Sequence, residues 1–200
     1  PRGGWISLTA KEPWKIGNTS MVNSLGNILS MGGKRVLGKP YTISEYNHPY
    51  PNQFGAEAQP MLAIYGSLQG WDGIFQYSYN HYVNDFEAKA MPWCFFDLIA
   101  RTDALAHFPA CSAIFVRGDV RQAKELVPAV VDEESCREYL VARRSRTYSI
   151  SSQGYDGNLV AVHRTGVKFA EGSPATDPVK LPADQKVFVS DTGEITWNKE

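Results

Sequence analysis

The residues with most chemical potential lie in Tyr41-Thr42-Ile43-Ser44-Glu45-Tyr46-Asn47-His48. Tyr41, Thr42 and Ile43 have the shapes that suit a strand. Pro40 fits a strand's first residue, and Pro49 stops regular pairing. A carboxylate, Glu45, stands where the strand ends, followed by an aromatic and polar cluster. A rigid parallel strand delivering an acid to its carboxyl end, with chemistry in the loop beyond, is how barrel enzymes build a site. A second stretch repeats the plan. Gly73 to Tyr79 reads as a strand and runs into Asn80-His81-Tyr82. The residues alone leave a salt-bridged structural carboxylate open as the other reading of Glu45.

The elements that must position these groups follow from periodicity. Asn18, Thr19 and Ser20 offer caps for a helix running to about Met31, with Met21, Leu25 and Ile28 on one face. A second helix is expected over roughly Ala56 to Gln69, its apolar stripe Met61, Ile64, Tyr65 and Leu68, with Pro60 in the first turn and Gly70 at its end. Strand, helix, strand predicts a βαβ unit with both strands ending at one rim. A third helix is expected from about Asp103 to Phe115, capped by Thr102 and interrupted by Pro109. From Val120 the chain changes character. A helix is expected between the acidic Asp132-Glu133-Glu134 and the basic Arg143 to Arg146. Short strands are expected at Tyr148 to Ser152, Leu159 to Val162, Lys186 to Ser190 and Glu194 to Trp197. Ala170 to Asp184 reads as linker.

Composition bounds the function classes. The 200 residues suit one or two domains, and 43% hydrophobic residues are enough for a core. Lys plus Arg total 20 against 21 Asp plus Glu, so no basic patch points to nucleic acid. No apolar run is long enough to cross a bilayer. Cys94, Cys111 and Cys136 are odd in number and widely spaced. They read as small buried apolar residues, with one disulfide left open and the redox compartment undetermined. His48, His81, His107 and His163 show no HExxH or HxH spacing, so no metal and no cofactor is expected. Ser44 lacks a GxSxG elbow, and Gly32-Gly33-Lys34-Arg35 lacks P-loop spacing.

Gly38 to Pro49 resembles the seventh barrel strand of the clan A retaining glycoside hydrolases, which include cellulase-like and β-galactosidase-like TIM barrels. Gln69 to Phe75 resembles their eighth strand. Leu105 to Ala110 with Phe115 to Val120 resembles the last barrel helix, and Val189 to Trp197 the opening of an accessory β-domain. The resemblance implies an α/β chain: the last two strands and helices of a (β/α)8 barrel over 1–120, then a linker and β-rich, sandwich-like segment over 121–200. It implies retaining hydrolysis of a β-linked saccharide with Glu45 as nucleophile. The general acid would lie on an upstream barrel segment of the same protein, which is then a partner alongside the oligo- or polysaccharide substrate. Glu57, in the helix expected over Ala56 to Gln69, is not assigned that role. Polysaccharide degradation would suit a secreted or periplasmic parent, and no compartment is assigned.

Under this resemblance Asn47 and His48 either contact sugar hydroxyls or hold the loop. Tyr79, Asn80 and His81 are expected to bind substrate at the shared rim. Trp93 is a candidate sugar-stacking platform, whereas Trp71, preceding its strand, is expected to pack in the core. The alternative from a different class is a non-catalytic carbohydrate-binding module.

Overall fold

The computed structural model describes residues 16–81, 92, 94–141, 148–171 and 177–199. Trp93 lies outside the described residues.

The first expected helix is two. Helix α1 (Met21–Ser24) is capped by Ser20, whose hydroxyl accepts from Asn23 N at 3.2 Å. Leu25 then takes a left-handed conformation, φ 50°, before α2 (Gly26–Gly32). Leu25 is fully buried. Seating its side chain in the core contributes about 1.5–3 kcal/mol, which offsets the roughly 1–2 kcal/mol left-handed penalty.

Strand β1 (Thr42–Tyr46), helix α3 (Ala58–Gln69, after a 3-10 turn at Gly55–Glu57) and strand β2 (Gly73–Gln76) follow. Gly70, at φ 64°, ends α3 in the left-handed conformation that suits glycine. The strands pair in parallel, Thr42 with Gly73 and Ile43 with Ile74. Ile43 is buried, whereas Thr42, Ser44 and Phe75 are exposed. The third expected helix also breaks in two, α4 (Thr102–Leu105) and α5 (Phe108–Arg117). Pro109 sits in the first turn of α5, where its missing N–H costs nothing. Thr102 lies inside α4 rather than capping it.

Beyond residue 120 the strand expectations need correction. Ser151–Gln153 and Gly157–Ala161 are 3-10 turns, not strands. Asp156 caps the second by accepting from Asn158 N, and Leu159, Val160 and Ala161 are all buried in succession. A short apolar run carries no period that separates strand from helical turn. The strands are instead β3 (Leu126–Asp132) and β4 (Arg164–Ala170), parallel and in unbroken register from Leu126–Arg164 to Asp132–Ala170, with helix α6 (Glu133–Val141) after β3. The 35–37 segment bonds the other edge of β4. A Cβ on Gly166 would come within 2.9 Å of the Arg35 carbonyl, so only glycine permits this approach. A hairpin of β5 (Val187–Val189) and β6 (Thr196–Asn198) lies near two expected strands and buries the cross-strand pair Phe188 and Trp197, centroids 5.1 Å apart.

Among the described residues each of the three sheets has two strands, and none closes on itself. One apolar cluster runs from Met21 and Leu25 through Leu62 and Leu68 to Leu159, Phe188 and Trp197, so both sides of residue 120 share a core. A buried carboxamide joins them: Gln69 donates to the Val160 carbonyl at 2.7 Å and accepts from Thr165 N at 3.0 Å.

Candidate active site

Glu45 is exposed in the last turn of pairing before β1 ends. Ile43 pairs with Ile74 but Tyr46 pairs with Gln76, so Ser44 and Glu45 together face Phe75. This extra residue is a bulge, a device that re-aims a side chain at a strand's end. Among the described residues no hydrogen bond or ion pair reaches the Glu45 carboxylate. Glu57 is fully committed elsewhere. Its carboxylate accepts from Ser20 Oγ, Met21 N and Val22 N, closing the start of α1.

The two strand ends do share a rim. Tyr77 N donates to the Tyr46 carbonyl at 2.9 Å, carrying the parallel contact past β2. A third segment, residues 94–101, locks the rim from behind. The Phe96 carbonyl accepts both Asn47 Nδ2, at 2.6 Å, and Ser78 N, at 3.2 Å. Arg101, almost wholly buried, donates to the His48 carbonyl and pairs with Asp103 at 2.8 Å. Asn47 therefore holds the loop.

His48 is also a loop-holding group. It is buried, its Nδ1 3.2 Å from the Phe54 carbonyl and its Nε2 3.1 Å from the Tyr46 hydroxyl. A carbonyl only accepts, so the proton belongs on Nδ1 and Nε2 accepts from Tyr46. Asn27 Nδ2 donates to the same hydroxyl at 3.1 Å. Burial pushes the His48 pKa down, and burial likewise pushes the Tyr46 phenol up. The relay Asn27, Tyr46, His48, Phe54 is complete with every group neutral. It clamps the residue next to Glu45.

His81 and its neighbours are placed differently. The His81 backbone N donates to Asp97 Oδ1 at 3.1 Å, and its Nδ1 bonds the same oxygen. Its Nε2 lies 3.3 Å from the Tyr77 hydroxyl. Asp97 is fully buried and its other oxygen accepts from Cys94 N at 2.9 Å. Tyr79 is 48% exposed while its carbonyl accepts from Leu98 N and Ile99 N. Asn80 is half-buried between them. Trp71 is buried as expected, edge-on to Tyr41 at the opposite end of β2.

Sequence reasoning missed Asp97 and Arg101, which hold the rim together. The signal was there in composition. Each is a lone charge in the apolar run Cys94-Phe95-Phe96-Asp97-Leu98-Ile99-Ala100-Arg101. A charge in such a run is buried only if it is paired.

Chemically, the rim offers an unpaired carboxylate on a bulge opposite Phe75, which is 59% exposed, and a second exposed aromatic, Tyr79, beyond the end of β2. His81, Cys94 and Asp97 form the one group of three metal-ligating side chains found among the described residues. Compared with known proteins, the chain matches no family model, no curated protein and no solved structure.

Proposed function

We propose that this chain carries the nucleophile of a retaining glycoside hydrolase, with Glu45 as the attacking carboxylate. The observation that carries the reading is Glu45 itself: exposed, on a bulge at the carboxyl end of a parallel strand, with no internal partner among the described residues. A structural carboxylate in a folded rim is held, as Glu57 and Asp97 are held. The barrel architecture, with an upstream segment of the same protein completing it, belongs to this proposal.

Glu45 attacks the anomeric carbon of a β-linked sugar as the glycosidic C–O bond breaks. A second carboxyl, on the upstream segment and about 5–5.5 Å away, gives its proton to the leaving oxygen. That group, now ionised, takes a proton from water, which attacks the same carbon and frees Glu45. The exposed faces of Phe75 and Tyr79 suit the C–H face of a pyranose, and Asn80 and His81 follow Tyr79 on the same proposed sugar-binding rim.

The test is an epoxide or fluorosugar label applied to the protein with its upstream segment, located by peptide mass spectrometry. Label on Glu45, abolished by Glu45→Gln, supports the nucleophile. Label on another carboxyl, or turnover unchanged in Glu45→Gln, overturns it. Sugar binding with neither label nor turnover favours the binding-module alternative.

A further inference from the structure

We propose that His81, Cys94 and Asp97 form a structural site for a divalent cation of the zinc class, tying the chain just beyond β2 to the 94–97 segment. The ligand atoms of these three side chains lie within 4.8 Å of one another. Cys94 and Asp97 are buried and His81 is half-buried. A nitrogen, a sulfur and a carboxylate oxygen are the mixed donor set that zinc takes at about 2.0–2.3 Å. The site does not rest on the role proposed for Glu45, although its ligand His81 belongs to the same rim.

The surrounding bonds orient all three ligands. Asp97 Oδ2 accepts from Cys94 N at 2.9 Å, and Oδ1 accepts from His81 N at 3.1 Å. Both backbone bonds can persist with a cation bound. The remaining bond, between Oδ1 and His81 Nδ1, is given up when a cation binds, and the two atoms move apart to ligate it. When Nδ1 ligates, the imidazole proton resides on Nε2 and is donated to Tyr77 Oη, 3.3 Å away. This outer bond is the usual support of a metal-bound histidine. The Cys94 thiol gives up its proton to solvent as the metal–sulfur bond forms. With three protein ligands, a water would complete four-coordination.

The spacing explains why the sequence concealed it. Cys94 and Asp97 are a CxxD pair, and His81 lies thirteen residues before Cys94. The three meet only because the rim folds back on itself.

The test uses the full chain, stripped with a chelator and titrated with Co2+. A sulfur-to-cobalt charge-transfer band at one equivalent is expected. It should be displaced by Zn2+, kept in Cys136→Ser and lost in Cys94→Ser. Tyr77→Phe should weaken zinc affinity about tenfold. Because Cys94→Ser could fail to fold, zinc protection is measured on the unmutated protein. Zinc should slow alkylation of Cys94, leaving Cys136 unchanged. No charge-transfer band, a band that survives Cys94→Ser, or equal alkylation of Cys94 with and without zinc would overturn the site.

Discussion

Asn47 donates its side-chain amide to the Phe96 carbonyl at 2.6 Å, joining the end of β1 to a segment 49 residues away. The same carbonyl accepts Ser78 N, so one oxygen bridges both strand ends. Asn47→Ala removes the Asn47 bond and leaves Ser78 N on that carbonyl. The expected loss is about 1–2 kcal/mol, read from the denaturant midpoint. Asn47→Asp should lose a similar amount, because the carbonyl then faces a group with no donor.

Glu45 and Glu57 should separate cleanly. On the proposed nucleophile reading, Glu45→Gln should reduce turnover by about 10^4-fold, the order lost with one member of a catalytic group, while its unfolding midpoint barely moves. Glu57→Gln should do the reverse. It weakens the acceptor for Ser20 and for the Met21 and Val22 amides, so about 1–2 kcal/mol of stability is lost with turnover per folded molecule retained. If Glu57→Gln abolishes turnover in folded protein, the assignment of the two acids is wrong.

Asp191 makes the tail pH-sensitive. It accepts from Lys124 N at 2.8 Å, Glu125 N at 2.9 Å and His163 Nδ1 at 3.0 Å. Burial pushes its pKa up, but these donors together outweigh burial and hold it below its ordinary value of 3.8. A depressed folded-state pKa contributes stability above the unfolded value, lost as pH falls through the folded one. Asp191→Asn should therefore cost about 1–3 kcal/mol at pH 7. The gap from the parent protein should narrow below about pH 4, measured by urea unfolding at stepped pH.

Trp197 couples the last strand to the first helix. Its ring is buried against Phe188 and its Nε1 donates to the Val22 carbonyl at 2.7 Å. Trp197→Ala should cost about 3–5 kcal/mol. Trp197→Phe, which keeps the apolar contact and loses the bond, should cost about 1 kcal/mol. Calorimetry that shows the 16–81 segment melting unchanged in Trp197→Ala would contradict this coupling.

The sequence by itself determined the local units with strong periodicity or punctuation. The helix of Ala58–Gln69 with its Gly70 stop was legible because its stripe, Met61, Ile64, Tyr65 and Leu68, repeats over about two turns before the glycine. The strand carrying Glu45, its pairing with the strand after the helix, and the buried Trp71 followed from shape and order. Only the tertiary structure decided the rest. Leu25 breaks a helix because its burial outweighs local geometry. Leu159 to Ala161 turn rather than extend because all three positions are buried together. Asn47, whose residue type suits either binding or support, is a loop clamp because Phe96 and Arg101 come to it from a segment about 50 residues away, whereas His48 is held within its own loop by Tyr46 and Phe54. A side chain's type states which bonds it can make. Which groups arrive within 3 Å of it depends on long-range folding, and no local pattern encodes that.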